Sequence, residues 1–187
     1  MKIIGLDLSL TSTGVAVVDD HVEVGRRVTV QRIRSNGKKD ATIADRTDRL
    51  RRLAAKILIP ARDADLVVIE GPAYHQSNPG MHDRSGLWWL VTERLHAYDW
   101  PVAEVSPSVV KKYATGKGNA GKDQVLAAVV RRYPDVEVGG NDEADALILA
   151  ALGARFLGQP IDDMPALQSA VVASVRWPAH LTEEAPF

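Results

Sequence analysis

The sequence predicts an α/β domain built on a mixed five-stranded sheet flanked by helices, and three observations predict it. Two apolar runs follow each other at the start with the alternation of strands, "KIIGLDLSLTSTGVAVVDD". A short, continuously apolar run, "ADLVVIEGP", has the character of a central strand covered on both faces. Beyond it, strand-like and helix-like periods alternate, which is the order of a layered α/β protein.

The elements follow in order. In the first run Ile4, Leu6 and Leu8 alternate with Ile3, Gly5, Asp7 and Ser9, and Gly14 restarts a second apolar run, so the segment reads as a β-hairpin. "HVEVGRRVTVQRI" reads as a third strand, and "TIADRTDRLRRLAAKIL" as an amphipathic helix with Ile43, Leu50, Leu53 and Ile57 on its apolar side. After the central strand come a helix over "SGLWWLVTERLHAY", a strand over "PVAEVSP", and two helices, "PSVVKKYA" and "KDQVLAAVVRRY", separated by "TGKGNAGK". "NDEADALILAALGARFL" is the last strong helix, with Ala144, Leu147, Ile148, Ala151 and Leu152 at helical spacing. The expected division is a domain over residues 1–158 and an extension over 159–187. "MPALQSAVVASV" in the extension is a further helix candidate, and "RWPAHLTEEAPF" an extended or mobile end.

Composition narrows the chemistry. At 187 residues and 45% hydrophobic content, the chain is long enough for one domain with a real core. It contains no cysteine, which excludes disulfides, thiolate metal sites and a cysteine nucleophile, so any metal must be held by oxygen or imidazole. No apolar run has membrane-spanning length and no signal-peptide pattern opens the chain, so a soluble, cytoplasmic protein is expected. The net charge is only −1, but it is unevenly spread. Twelve Lys and Arg lie between Arg26 and Arg62, and six between Lys111 and Arg132, whereas the tail carries Asp162, Asp163, Glu183 and Glu184 against Arg176. The first cluster reads as the solvated face of its helix. The second lies in and around a glycine-rich loop, where Lys117 and Lys122 flank backbone that can approach phosphate.

Carboxylates recur where burial is expected. Asp7 sits in an apolar strand, and Glu70 ends the central one; an unpaired carboxylate in an apolar interior costs several kcal/mol, so each needs a strand end, a cation or a metal. Both lie at carboxyl ends of strands, where functional groups of α/β sheets collect. Asp142 and Asp145 are three apart and share one face near the start of a helix, where Asn141 or Asp142 is a candidate cap. Four converging carboxylates are tolerated if a divalent ion neutralises them, and oxygen-only ligation suits Mg²⁺, with Mn²⁺ able to substitute.

An Asp in the first strand, a Glu ending a middle strand and an Asp-x-x-Asp opening a late helix resemble the acidic pattern of the ribonuclease H-like nucleases. Within them the chain resembles the RuvC-type Holliday-junction resolvases over Ile3 to about Phe156, through "IIGLDLSLTSTGVAVV", "VVIEGP", "VSPSVVKKYATGKGNAGKDQV" and "DEADALILA". The resemblance implies a ribonuclease H-like fold and metal-dependent paired nicking of four-way DNA junctions. It places Asp7, Glu70, Asp142 and Asp145 on the family's metal-binding acids, Lys122 near the scissile phosphate and Lys111 beside the DNA. Lys112 and Lys117 are further DNA-contact candidates, and Tyr74, in the loop after Glu70, is a candidate for stacking on an opened base. His75 and His82, in the same stretch, read as solvated. Family members commonly carry a Pro-Gly turn where this chain has "DLSLTSTG", and the loop "AYHQSNPGMHDRSG" is not a close match.

Both tryptophans of "GLWWLVTERLHAY" cannot face one narrow core. Trp88 shares a stripe with Val91 and Leu95, while Trp89 is followed by Glu93 and His96. One tryptophan is expected at a second surface, and the resemblance implies a homodimer through residues 87–98. The sequence also admits two other classes. "GLDLSLTSTG" also resembles the phosphate loop of actin-like and sugar-kinase ATPases, but those need a second phosphate motif, which is missing here. A non-catalytic DNA-binding relative, or a nuclease acting on other branched DNA or RNA, is the alternative within the fold.

Overall fold

The computed structural model describes residues 1–21, 27–72 and 80–182. Its sheet has the order β3-β2-β1-β4-β5, formed by β1 (Lys2–Asp7), β2 (Ser12–Asp19), β3 (Val28–Arg34), β4 (Leu66–Glu70) and β5 (Val102–Val105). β1, β2 and β3 are antiparallel neighbours, whereas β4 runs parallel to β1 and β5 parallel to β4. The sheet is mixed, as expected.

Alternation along the strands divides the core into two layers. Ile4, Leu6, Val15, Val67 and Ile69 face α1 (Ile43–Ala61) and α2 (Met81–Ala97). Ile3, Ala16, Val18, Leu66 and Val68 face the opposite layer of α3 (Pro107–Thr115), α4 (Lys122–Arg132) and α5 (Asn141–Phe156). A sheet covered on both faces needs apolar side chains on both, which is why β4 reads as a continuous run.

Helix α1 opens on a capping box, with the Thr42 side chain accepting from the Asp45 N–H at 3.1 Å and the Asp45 carboxylate accepting from the Thr42 N–H at 3.1 Å. Its apolar side is Leu53, Ala54, Ile57 and Ala61. Ile43, expected on that side, is instead 81% exposed, because the first turn projects beyond the core. The arginines of α1 are also more than a solvated face. Arg46 pairs with Asp83 of α2, and Arg49 donates from Nε to the Ser35 hydroxyl at 2.9 Å and from Nη2 to the Leu10 carbonyl.

Helix α5 is buried on nearly all sides and lies directly on β1 and β2. Glycines make that approach possible. A Cβ on Gly5 would lie 2.0 Å from the Ala146 carbonyl oxygen, and one on Gly14 would lie 1.8 Å from the Asp142 carbonyl oxygen. The helix is capped by Gly140 without a side-chain bond, so neither Asn141 nor Asp142 caps it; both are already in the helix.

The extension packs against the α3, α4 and α5 layer. It contains α6 (Ala166–Ser169), a 3-10 turn over Ala170–Ser174 and α7 (Ala179–Thr182), a short helix where extended chain is expected. Trp177 stacks on Phe156 with ring centres 4.2 Å apart, and Val171 and Val172 are buried. Asp162, whose side chain is fully buried, accepts from the hydroxyls of Tyr113 and Tyr133 and from Arg155 Nη2 at 2.5 Å. Among the described residues no helix is long and apolar enough to cross a membrane.

Candidate active site

The parallel register Leu6 with Ile69 sets Asp7 and Glu70 side by side at the carboxyl ends of β1 and β4, where their side chains are hydrogen-bonded. Across the antiparallel pair, Asp7 stands opposite Gly14, the residue over which the first turn of α5 sits. The bare glycine therefore brings the start of α5 down onto the sheet beside Asp7. Asp142 and Asp145 join Asp7 and Glu70 around one cavity of about 300 Å³, which Lys111 of α3 and Lys122 of α4 also line. The third acid of the same turn points elsewhere: Glu143 is buried, pairs with Arg32 of β3 at 3.1 Å, and accepts from the Gly139 N–H.

The electrostatics are those of crowded acids. Burial raises Asp7 well above the usual carboxylate range, and the charges of Glu70, Asp145 and Asp142 raise it further. Glu70 is pushed up to about 7, by burial and then by Asp145, although its hydrogen bond with Asp7 and the charges of Lys111 and Lys122 pull it down. Asp145 is raised to about 6 by burial, with Lys122 opposing and Asp142 adding to the rise. Both lysines thus face the acids closely enough to act on their charge. They do not balance it.

The donor set is chemically suited to a hard divalent cation, being carboxylate oxygen throughout, and the crowding gives such a cation a reason to bind. Among the described residues no group of three or more acid or imidazole side chains is set to hold a metal ion, and Asp7 and Glu70 are bonded to each other.

Other expected residues fall elsewhere. Lys112 is exposed on α3 and does not line the cavity. Lys117 lines a separate basic cavity between α3 and α4. Tyr74 and His75 lie outside the described residues, and His82 is exposed in the first turn of α2. Three further residues contribute, of which Trp88 is read from the sequence only as a core or interface residue. Trp88 lines the cavity and donates from Nε1 to the Glu70 carbonyl at 3.0 Å, which fixes the end of β4 against α2. Arg84 and Ser9 are also in its wall. The loop "DLSLTSTG", without a Pro-Gly turn, is closed by the buried Thr13, whose hydroxyl donates to the Ser9 carbonyl at 2.8 Å and accepts from the Ser9 N–H at 3.1 Å.

A mixed sheet in this order, with acids ending its first and fourth strands and opening the helix laid across it, defines a ribonuclease H-like protein of the nuclease class. The family model for crossover junction endodeoxyribonuclease RuvC matches residues 3–152, and the chain belongs to that family. It is 30% identical to the crossover junction endodeoxyribonuclease RuvC of Synechococcus sp. (strain CC9311), over 82% of this chain and 98% of that protein. In fold it resembles Thermus thermophilus RuvC, with a TM-score of 0.61 and 20% identity over 87% of this chain and 100% of that one. It also resembles T. thermophilus RuvC in complex with Holliday junction substrate, with a TM-score of 0.57 and 19% identity over 80% and 90% of the two chains.

Proposed function

We propose that this chain is a divalent-metal-dependent endodeoxyribonuclease that resolves four-way DNA junctions by paired, symmetric nicks, working in the cytoplasm as a homodimer. One observation carries the chemistry: four carboxylates and two lysines, drawn from β1, β4, α3, α4 and α5, line a single cleft. In this reading Asp7, Glu70, Asp142 and Asp145 hold Mg²⁺, with Mn²⁺ able to replace it. When bound, a divalent ion supplies Lewis acidity and a water that ionises near neutral pH. Asp7 and Glu70, which already line the cleft, would offer it carboxylate oxygens, and its charge would offset the crowding of the acids. Lys122 stands at the scissile phosphate, where its ammonium stabilises charge that grows in the transition state. Lys111 steadies the neighbouring backbone; Lys112, Lys117 and Tyr74 extend the DNA contact. Residues 1–158 carry the chemistry, and 159–187 form an extension docked on it.

The test is cleavage of a labelled synthetic four-way junction beside a linear duplex of the same sequence and a branched RNA, with and without Mg²⁺. Metal-dependent nicks in two opposed strands of the junction alone are expected. Asp7→Asn, Glu70→Gln and Asp145→Asn should each abolish the nicks while leaving junction affinity largely intact, because affinity comes mainly from phosphate contacts. Equal cutting of linear duplex or RNA would reject junction selectivity.

A further inference from the structure

The strand registers put Asp7 of β1, Gly14 of β2 and Arg32 of β3 in one row across the sheet, Asp7 opposite Gly14 and Gly14 opposite Arg32. Residues directly opposite in antiparallel strands share a face. That face is the one under α5, because a Cβ on Gly14 would lie 1.8 Å from the Asp142 carbonyl oxygen. The first turn of α5 therefore sits over the bare middle of the row. On one side of it stands Asp7, which lines the acidic cleft with Asp142 and Asp145. On the other stands Arg32, whose Nε donates to the Glu143 carboxylate at 3.1 Å.

The two sides act on the turn in opposite senses. Asp7 and Glu70 carry the same charge as Asp142 and Asp145, so when all are ionised they push the turn off the sheet. Arg32 and Glu143 carry opposite charges and draw it down. Their contact also reaches the backbone that enters the helix. The second oxygen of Glu143 accepts from the Gly139 N–H, and a Cβ on Gly139 would lie 3.0 Å from both Arg32 Nη2 and Glu143 Oε2, so the ion pair lies directly against that chain. No side chain caps α5, and Glu143 supplies a buried acceptor just ahead of its first turn instead. Neither Arg32 nor Glu143 lines the cleft.

We propose that Arg32 and Glu143 are positioning residues for the metal ion, anchoring the first turn of α5 against the repulsion of the acids so that Asp142 and Asp145 stay within reach of a cation shared with Asp7 and Glu70, a role that rests on the nuclease reading above. They touch neither the metal nor the reacting phosphate.

The test is the Mn²⁺ affinity of the DNA-free protein, from the resonance signal of free Mn²⁺, together with the Mg²⁺ concentration that half-saturates single-turnover junction cleavage. It compares the wild type with Arg32→Ala, Arg32→Lys, Glu143→Gln and the double variant Arg32→Ala/Glu143→Ala, below the melting temperature of each. Arg32→Ala, Glu143→Gln and the double variant should each weaken Mn²⁺ binding about ten-fold and raise the Mg²⁺ midpoint to match. The double variant should be no worse than the single ones, because the pair acts as a unit. It leaves no buried charge without a partner, so it decides the matter even if Arg32→Ala folds poorly. Arg32→Lys, which keeps a cation for Glu143, should stay within about three-fold of the wild type. Variants that melt lower yet bind Mn²⁺ like the wild type would reduce the pair to a stabilising contact and overturn the proposal. So would weaker junction binding in metal-free buffer with unchanged metal affinity, which would make Arg32 a DNA contact. Wild type that fails to bind Mn²⁺, or binds it and leaves the junction uncut, would instead overturn the nuclease reading.

Discussion

The Asp7 carboxyl loses its water at the end of β1 and faces Glu70, Asp145 and Asp142, each of which raises its proton affinity. Raised acids have a defined consequence for stability. Folded Glu70 titrates near 7 against an ordinary value of 4.5, and Asp145 near 6 against 3.8, so between about pH 4 and 7 the folded protein holds protons that the unfolded chain has released. By linkage, metal-free stability falls as pH rises through that window and stays low above it. A divalent cation, which favours the ionised acids, should flatten the profile. The melting temperature without metal should therefore drop between pH 5 and pH 8 and recover on adding Mg²⁺. Asp7→Asn, which removes a charge the fold resists, should melt higher than the wild type at pH 8 without metal, even though it is expected not to cleave. A melting temperature independent of pH, or a destabilised Asp7→Asn, would contradict this account. At this scale the key acids were legible because a carboxylate inside an apolar strand demands an explanation. Arg84 and Ser9 were not, since neither stands out in its segment and only the fold brings them to the cleft.

Among the elements, α5 sets the geometry of the site, because its first turn carries two of the four acids. Its position depends on what the sheet lacks. With a Cβ on Gly14 only 1.8 Å from the Asp142 carbonyl oxygen, Gly14→Ala must push the start of α5 away from β2 by an ångström or more. Overpacking of that kind costs about 1–3 kcal/mol, and a catalytic group displaced by about 1 Å can lose on the order of a hundred-fold in rate. Gly14→Ala should accordingly melt several degrees lower and cut junctions about a hundred-fold more slowly in single turnover, with junction affinity changed only a few-fold. Wild-type cutting rates would mean that α5 tolerates the shift. The helix itself was readable from its period, but its seat was not, because a helix apolar on nearly every side does not say which face meets the sheet. Gly14 was the available signal, since glycine inside a strand marks close backbone approach. The extension was harder still. A ring stack, Trp177 on Phe156, and a polar knot around Asp162 hold it, and neither leaves a periodic apolar stripe to read.

For the whole molecule the question is how one cleft per chain makes two nicks. A four-way junction has approximate two-fold symmetry, and the simplest device that cuts two opposed strands is a two-fold dimer with one acidic cleft in each copy. The surface proposed for it is on α2. Trp88 turns inward, its Nε1 on the Glu70 carbonyl, whereas Trp89 is 67% exposed, an unusually large apolar surface to leave in water. The two rings meet edge to face at 4.9 Å, so the side chain at the outer surface leans on the one that fixes Glu70. Trp89→Glu would place a charge in a desolvated contact, costing about 2 kcal/mol or more, which is roughly thirty-fold in the dimer dissociation constant. Sedimentation should find the wild type dimeric and Trp89→Glu monomeric at micromolar concentration, while Mg²⁺ still raises the melting temperature of both, since the acids remain in place. A supercoiled plasmid carrying a cruciform then reads the coupling of the cuts. Paired nicks within one encounter give linear product, and independent nicks give open circles first. The wild type should yield linear DNA and Trp89→Glu open circles. A monomeric variant that still linearises the plasmid in one encounter would show that pairing of the nicks does not come from the dimer.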